Sequence, residues 1–229
     1  MPEFLSPAEI SALILSIQVA VTAVLAELPI AIFIAYILAR INFPGRSLLN
    51  ILIHLPLVLP PVVTGYFLLL LFGNNGPIGD FLIKYFNVSI AFRWTGAALA
   101  SAIMALPLMV RAIRLSFEAV DTKIEDAART LGANRIKVFM SITLPLSYSG
   151  ILAGIVLGFA KGIGEFGATI TFVANIPNET QTLPLAIYSY AQSLEGELPA
   201  LRLAGLSIIV SIAALIGSEL LAQRQMKGR

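Results

Sequence analysis

Five long apolar stretches dominate the chain, running roughly over 10–39, 48–72, 95–116, 148–173 and 198–222, with polar connections between them. Each is long enough for the roughly 20 helical residues that a hydrocarbon core requires. None shows the strict apolar–polar alternation of an outer-membrane strand. Because helices satisfy their own backbone hydrogen bonds inside lipid, the pattern predicts an all-α membrane protein of about five transmembrane helices. On this reading residues 10–222 form a single transmembrane domain and 223–229 a short tail. Residues 1–39 contain no Lys or Arg, and the first stretch is about 30 residues long, so it reads as a retained helix and not as a signal peptide.

Composition supports the bilayer as solvent. Of 229 residues, 58% are hydrophobic and 12% charged, and mean hydropathy is +0.89. A soluble domain carries about 25% charged residues. There is no cysteine, and the single histidine, His54, has no neighbouring carboxylate pair, so neither a metal nor a cofactor is expected in this chain. Nothing in the composition suggests nucleic acid as a partner.

The distribution of charge is more informative than its sum of +2. Arg40 and Arg46 lie between the first two stretches, and Arg111, Arg114, Lys123, Arg129, Arg135 and Lys137 lie at or after the end of the third. Arg224, Lys227 and Arg229 close the chain. With alternating helices these share one side, and the positive-inside rule makes it cytoplasmic, placing the N-terminus outside and the C-terminus inside. Residues 73–94 and 174–197 become external loops. Trp94 and Tyr85 then suit an interfacial aromatic belt.

The longest cytoplasmic connection has its own pattern. Val120, Ile124, Ala127 or Ala128, and Leu131 recur at helical spacing, opposite Asp121, Glu125, Asp126 and Arg129. Gly132 follows where a left-handed residue ends a helix. A second short helix runs to Met140, and Pro145 marks entry to the next stretch. Residues 118–140 therefore read as an amphipathic helix pair. Its small residues suit either close approach by a partner or a position on the bilayer surface.

Asp126-Ala127-Ala128, then Gly132, then Ile142-Thr143-Leu144-Pro145, resembles the "EAA" loop in permease subunits of binding-protein-dependent ABC importers of the type I fold. The pattern is Glu-Ala-Ala, three residues, Gly, nine residues, Ile, one residue, Leu-Pro. Every spacing is kept, with Asp126 in place of Glu. The resemblance covers roughly residues 12–218. Phe43-Pro44-Gly45, the run His54 to Val63, the run Gly164 to Val173, and Asn175-Ile176-Pro177 resemble the molybdate branch. Sulfate permeases share the Gly-Glu-Phe-Gly portion.

The resemblance implies that Glu125, Asp126, Ala127, Ala128, Arg129, Leu131 and Gly132 form a coupling surface docking into a cytoplasmic ABC ATPase dimer, where ATP and Mg are used. It implies a second copy of this chain, with the path on the two-fold axis, an extracytoplasmic oxyanion-binding protein, and transport by alternating access. The sequence has no G-x-x-x-x-G-K-[ST] loop of its own, so the ATPase is expected to be a separate protein.

Several residues inside the apolar stretches are candidates for the path. Pro56, Pro60 and Pro61 interrupt the second stretch, either as a lining of the path or as a packing kink. Lys161 and Glu165, four apart in the fourth stretch, pair with each other structurally or face a polar lumen where Lys161 attracts a divalent anion. Gly158, Gly162, Gly164 and Gly167 give that stretch a thin face for close packing. Thr169 and Thr171 offer hydroxyls to an oxyanion or bond back to their own helix. Glu27, near Pro29, reads as a buried pairing residue. An ion-driven transporter or channel is the competing class, but neither internal repeats nor a relay of intramembrane carboxylates is evident. An intramembrane enzyme lacks its nucleophile.

Overall fold

In the computed structural model, which describes residues 5–226, every regular element is helical. In chain order they are α1 (Pro7–Arg40), α2 (Arg46–Val58), α3 (Pro61–Phe72), α4 (Pro77–Phe86), α5 (Trp94–Ala119), α6 (Thr122–Thr130) and α7 (Arg135–Val138). A π-helical turn (Phe139–Thr143) and α8 (Leu144–Leu146) follow, then α9 (Tyr148–Ile163), α10 (Gly167–Val173), α11 (Leu183–Ala191) and α12 (Glu197–Met226). Of the expected tail, residues 227–229 lie outside the described residues.

Among the described residues, three helices are long and apolar enough to cross a membrane: α1, α5 and the Glu197–Gly217 part of α12. The number rises to five if each of two bent pairs is one crossing. The second apolar stretch is such a pair, α2 and α3, which meet at 111°. Its break falls at Leu59–Pro60, with Pro61 opening α3, whereas Pro56 is accommodated inside α2. Proline at the first helical position loses no intrahelical bond, so Pro61 starts a helix more readily than it continues one.

The fourth stretch also departs from a single helix. It divides at Gly164, Glu165 and Phe166 into α9 and α10. The connections expected as external loops contain α4 and α11, each started by a proline within its first two positions. Their apolar residues are too few for a crossing, which is why the sequence pattern reads them as loops.

Helix α1 begins with a reciprocal cap: the Glu9 amide donates to Ser6 Oγ, and the Ser6 amide donates to Glu9 Oε2 at 2.6 Å. The buried Glu9 carboxylate also pairs with Arg202 of α12 at 3.1 Å. The core is the contact of α1, α5 and α9. Small residues form it: Ala20, Ala31 and Ala35 on α1, Ala97, Ala100 and Ala105 on α5, and Gly154, Gly158 and Gly162 on α9. In lipid, where apolar side chains gain little from leaving the solvent, close backbone approach supplies the packing energy.

Gly158 shows how tight this is. A Cβ there would lie 2.6 Å from Met109 Cε and 3.1 Å from Glu27 Oε1. Glu27 is buried as expected, yet neither carboxylate oxygen has a hydrogen-bond partner among the described residues, so it is not the pairing residue the sequence suggests. Around Gly158 its neighbours are the apolar Met109 and Val24.

Gly158→Leu is expected to lower the melting temperature of the detergent-solubilised protein markedly, because overpacking costs about 1–3 kcal/mol. Gly205→Leu, where nothing lies within 4 Å, is expected to melt as wild type. Equal melting of the two variants would contradict the three-helix core.

Candidate functional site: a clamped helical elbow and two meeting helix breaks

Two regions gather most of the residues singled out from the sequence. The first is the elbow formed by α6, α7 and the π-helical turn. Asp121 caps α6, accepting from the Lys123 amide at 2.9 Å, and Asn134 caps α7, accepting from the Lys137 amide at 2.8 Å. Between them Gly132 takes φ +88°, the left-handed geometry that turns the chain without Cβ strain. Asp126 and Arg129 form an exposed pair at 3.0 Å.

Glu125 does not lie on the exposed polar face where the helical spacing groups it. It is 4% exposed and points back into the protein. Its Oε1 accepts from Arg40 Nη2 at 3.1 Å and from Thr143 Oγ1 at 2.7 Å. The same Arg40 nitrogen donates to the Val120 carbonyl at 2.9 Å. Glu125 thus joins the end of α1, the end of α5 and the π-helical turn leading into α9. Beside it Tyr36, Phe117 and Phe139 pack edge to face, with Tyr36 and Phe139 centroids 4.8 Å apart.

With Glu125 turned inward, the apolar residues of the elbow face out. Leu131 is 88% exposed and Ile136 75%, with Ile124, Ala127 and Met140 exposed as well. Ala128 is half-buried. These exposed apolar residues stand on a short element capped at both of its helices.

The second region is where the two helix breaks meet. α3 packs on α10 so closely that a Cβ on Gly65 would lie 2.5 Å from the Ala168 carbonyl oxygen, and one on Gly167 would lie 2.7 Å from Pro61 Cβ. Pro60 and Pro61 are exposed on one side of this contact, and Thr169 is buried on the other with its hydroxyl unbonded among the described residues. Thr171 bonds back to the Gly167 carbonyl at 2.8 Å, so its hydroxyl is already engaged within α10. Lys161 and Glu165 form an ion pair, but Glu165 lies past the end of α9. Its other oxygen accepts from the Ala168 amide at 3.0 Å and caps α10. The Glu165 side chain is 1% exposed and that of Lys161 27%. Arg40 and Thr143 escaped notice in the sequence because Arg40 counts only as a topology charge and Thr143 lies within an apolar run.

Among the described residues no group of three or more His, Asp or Glu could hold a metal ion.

Residues 28–227 match the family described as binding-protein-dependent transport system inner membrane component. The chain belongs to that family. It is 57% identical over 219 residues to the molybdenum transport system permease protein ModB of Haemophilus influenzae, covering 96% of each chain. It is 53% identical over 227 residues to the Escherichia coli K12 protein of that name, covering 98% of this chain and 99% of the relative. Sulfate permeases are more distant, as with CysW of Synechococcus elongatus at 39% identity, which covers 78% of this chain and 63% of the relative. Among solved structures, the bacterial alginate ABC transporter in complex with its pentasaccharide-bound periplasmic protein matches with TM-score 0.77 and 16% identity, over 98% of this chain and 81% of that one. The architecture is the transmembrane fold of type I ABC importers, in a multi-pass inner-membrane permease family.

Glu125→Ala is expected to destabilise the elbow by about 3–5 kcal/mol, since it leaves Arg40 charged in a largely buried position. Limited trypsin digestion reads this directly, as faster cleavage after Lys123 and Arg129. Thr143→Val, which removes one donor, is expected to cost about 1–3 kcal/mol. Wild-type cleavage rates in both variants would show that the clamp does not hold the elbow.

Proposed function

We propose that the chain is the membrane subunit of an ATP-driven importer of molybdate, working as a homodimer with a cytoplasmic ATPase dimer and an extracytoplasmic oxyanion-binding protein. The observation that carries the reading is the elbow: apolar residues presented outward on an element clamped to both α1 and the entry of α9. Leu131, Ile136, Ile124 and the small Ala127 and Ala128 suit a cleft on the ATPase, with Asp126 and Arg129 at its rim. Glu125 acts from inside, holding the elbow to the helices it must move. The sequence carries no phosphate-binding loop, which is consistent with a separate ATPase.

A second copy is supported by the exposed apolar surface of the α2–α3 bend. No residue of α2 is buried within one chain, and Val58 is 81% exposed. Pairing this bend across a two-fold axis sets Pro60, Pro61 and the α10 contact beside a central path. The N-terminus outside and the C-terminus in the cytoplasm follow from the basic residues concentrated at the elbow end. ATP binding then closes the ATPases, draws the elbows together, and rocks α1, α5 and α9 to open the outer side. Molybdate is favoured over sulfate by the 53–57% identities to molybdenum permeases against 39% for the sulfate relative.

Leu131→Asp is expected to release the ATPase during purification of the complex, or to weaken its retention about 10- to 100-fold, while the permease keeps its melting temperature. Retention at wild-type level would remove the elbow as the docking surface. For the substrate, ATPase activity in proteoliposomes is expected to rise with molybdate-loaded binding protein and to stay basal with the sulfate-loaded form. The reverse result would assign sulfate. Lys161→Met is expected to reduce molybdate uptake at normal protein levels, and unchanged uptake would leave Lys161 as a structural partner of Glu165.

A further inference from the structure

At the elbow end of the bundle, α2 and α5 run antiparallel and meet along a polar seam that the coupling role does not use. Asn50 Oδ1 accepts from Arg114 Nη1 at 3.0 Å, and Arg114 Nε donates to Glu118 at 2.8 Å. One turn further along α2, His54 Nδ1 lies 2.8 Å from the Asn50 carbonyl. A carbonyl can only accept, so Nδ1 carries the proton and Nε2 is left facing away from it.

A cavity of about 320 Å³ opens here, lined by Asn50, His54, Arg111, Arg114 and Glu118 along with Leu115. A second, of about 380 Å³, shares Asn50 and Arg114 and extends to Arg46. Among the described residues Arg46 is held by neutral acceptors only, the Asn42 side chain at 2.9 Å and the Leu38 carbonyl at 2.5 Å. The Arg111 side chain makes no hydrogen bond or ion pair with any described residue.

The balance of donors and acceptors decides what the seam can hold. Arg111 and Arg114, with five N–H donors each, share the first cavity with one carboxylate, Glu118, one of whose oxygens is already bonded. Arg46 lines the adjoining cavity, whose lining has no carboxylate. Arg111 lies eight residues before the end of α5, about 12 Å along its axis, where a lone cation is costly beside lipid unless an anion or water meets it. Planar guanidinium forks match a tetrahedral oxyanion better than any neutral ligand.

We propose that this seam binds a tetrahedral oxyanion group at the cytoplasmic mouth of the permease, with Arg111 and Arg114 as its principal donors. Two sources present that chemistry: the free oxyanion leaving the path, and the phosphate of an anionic inner-leaflet lipid. The site rests on the importer reading only for the choice of molybdate as the free anion.

The test uses the full-length permease in nanodiscs of zwitterionic lipid, with phenylglyoxal modification of Arg111 read by mass spectrometry. Protection of Arg111 by sodium molybdate, about tenfold in rate, supports the site with the free anion as ligand. Protection only when phosphatidic acid is added to the nanodiscs supports it with lipid as ligand. Arg111→Gln should then abolish labelled-molybdate binding or retention of phosphatidic acid, whichever arm applied. The modification experiment needs no variant, so it decides the matter even if Arg111→Gln does not fold. Unprotected Arg111 in both arms, or undiminished binding by a folded Arg111→Gln, overturns the proposal. ATPase retention by Leu131 reads a different surface, so that outcome with retention intact leaves the importer reading standing.

Discussion

Glu125 is the point on which the elbow's rigidity depends. It sits in a nine-residue helix with almost every other residue facing out, and a helix that short has little stability in water on its own. Tertiary contacts have to hold it. The carboxylate supplies them by accepting from Arg40 and Thr143 at once, and Arg40 also reaches the Val120 carbonyl. A buried ion pair of this kind does not guarantee net stability against an apolar substitute, because both ions lose water. What it adds is geometry: an apolar replacement would pack, but it would not fix α6 against both α1 and the π-helical turn in one orientation. The edge-to-face contact of Tyr36, Phe117 and Phe139 braces one side of it, while Tyr36, Phe139, Arg40 and Glu125 also line an open cavity of about 940 Å³.

The second constraint is that backbone groups in lipid must find partners within the protein. Both interrupted stretches face this problem. At Leu59–Pro60 proline removes a donor that would otherwise be unpaired. At Gly164–Phe166 the Glu165 carboxylate caps the Ala168 amide. The same carboxylate also pairs with Lys161, so one side chain ties the end of α9 to the start of α10. The two breaks lie against each other through Gly65 and Gly167, so irregular backbone is gathered in one place, with Glu165 buried and Pro60 and Pro61 exposed at its edge.

How far this was legible in the sequence follows from which interactions are local. The α6–Gly132–α7 elbow was readable because helical spacing and a helix-ending glycine act within a few residues of one another, although the Asp121 and Asn134 caps went unread. The Lys161–Glu165 pair was readable from its spacing, but not the end of α9 between them, which depends on Glu165 finding the Ala168 amide. The inward turn of Glu125 was not readable, because its partners lie 85 and 18 residues away in sequence. The polar seam of α2 and α5 was hidden for the same reason: Asn50 and Arg114 are 64 residues apart, and each looks like an ordinary polar residue near a helix end. The hydrophobic pattern found α4 and α11 only as loops, since it was searched for segments long enough to cross a bilayer.

The charge arrangement along the proposed path bears on how selectivity is divided in such a system. A lone lysine at mid-membrane would hold a divalent oxyanion in a medium of low dielectric, where the attraction is many times larger than in water. Transport requires the opposite: binding favourable enough for entry and weak enough for exit. Glu165 meets that requirement by neutralising most of the Lys161 charge while leaving the lysine side chain about a quarter exposed. Under the proposed reading the path would then attract an anion without trapping it, and tight discrimination between oxyanions would fall to the binding protein that delivers them. The unneutralised arginines lie instead at the elbow end, where an anion that has passed the breaks meets water and positive charge together. Under the proposed reading the electrostatic gradient therefore runs toward the cytoplasm, favouring forward release, while the direction of net transport is set by the ATPase that the elbow engages.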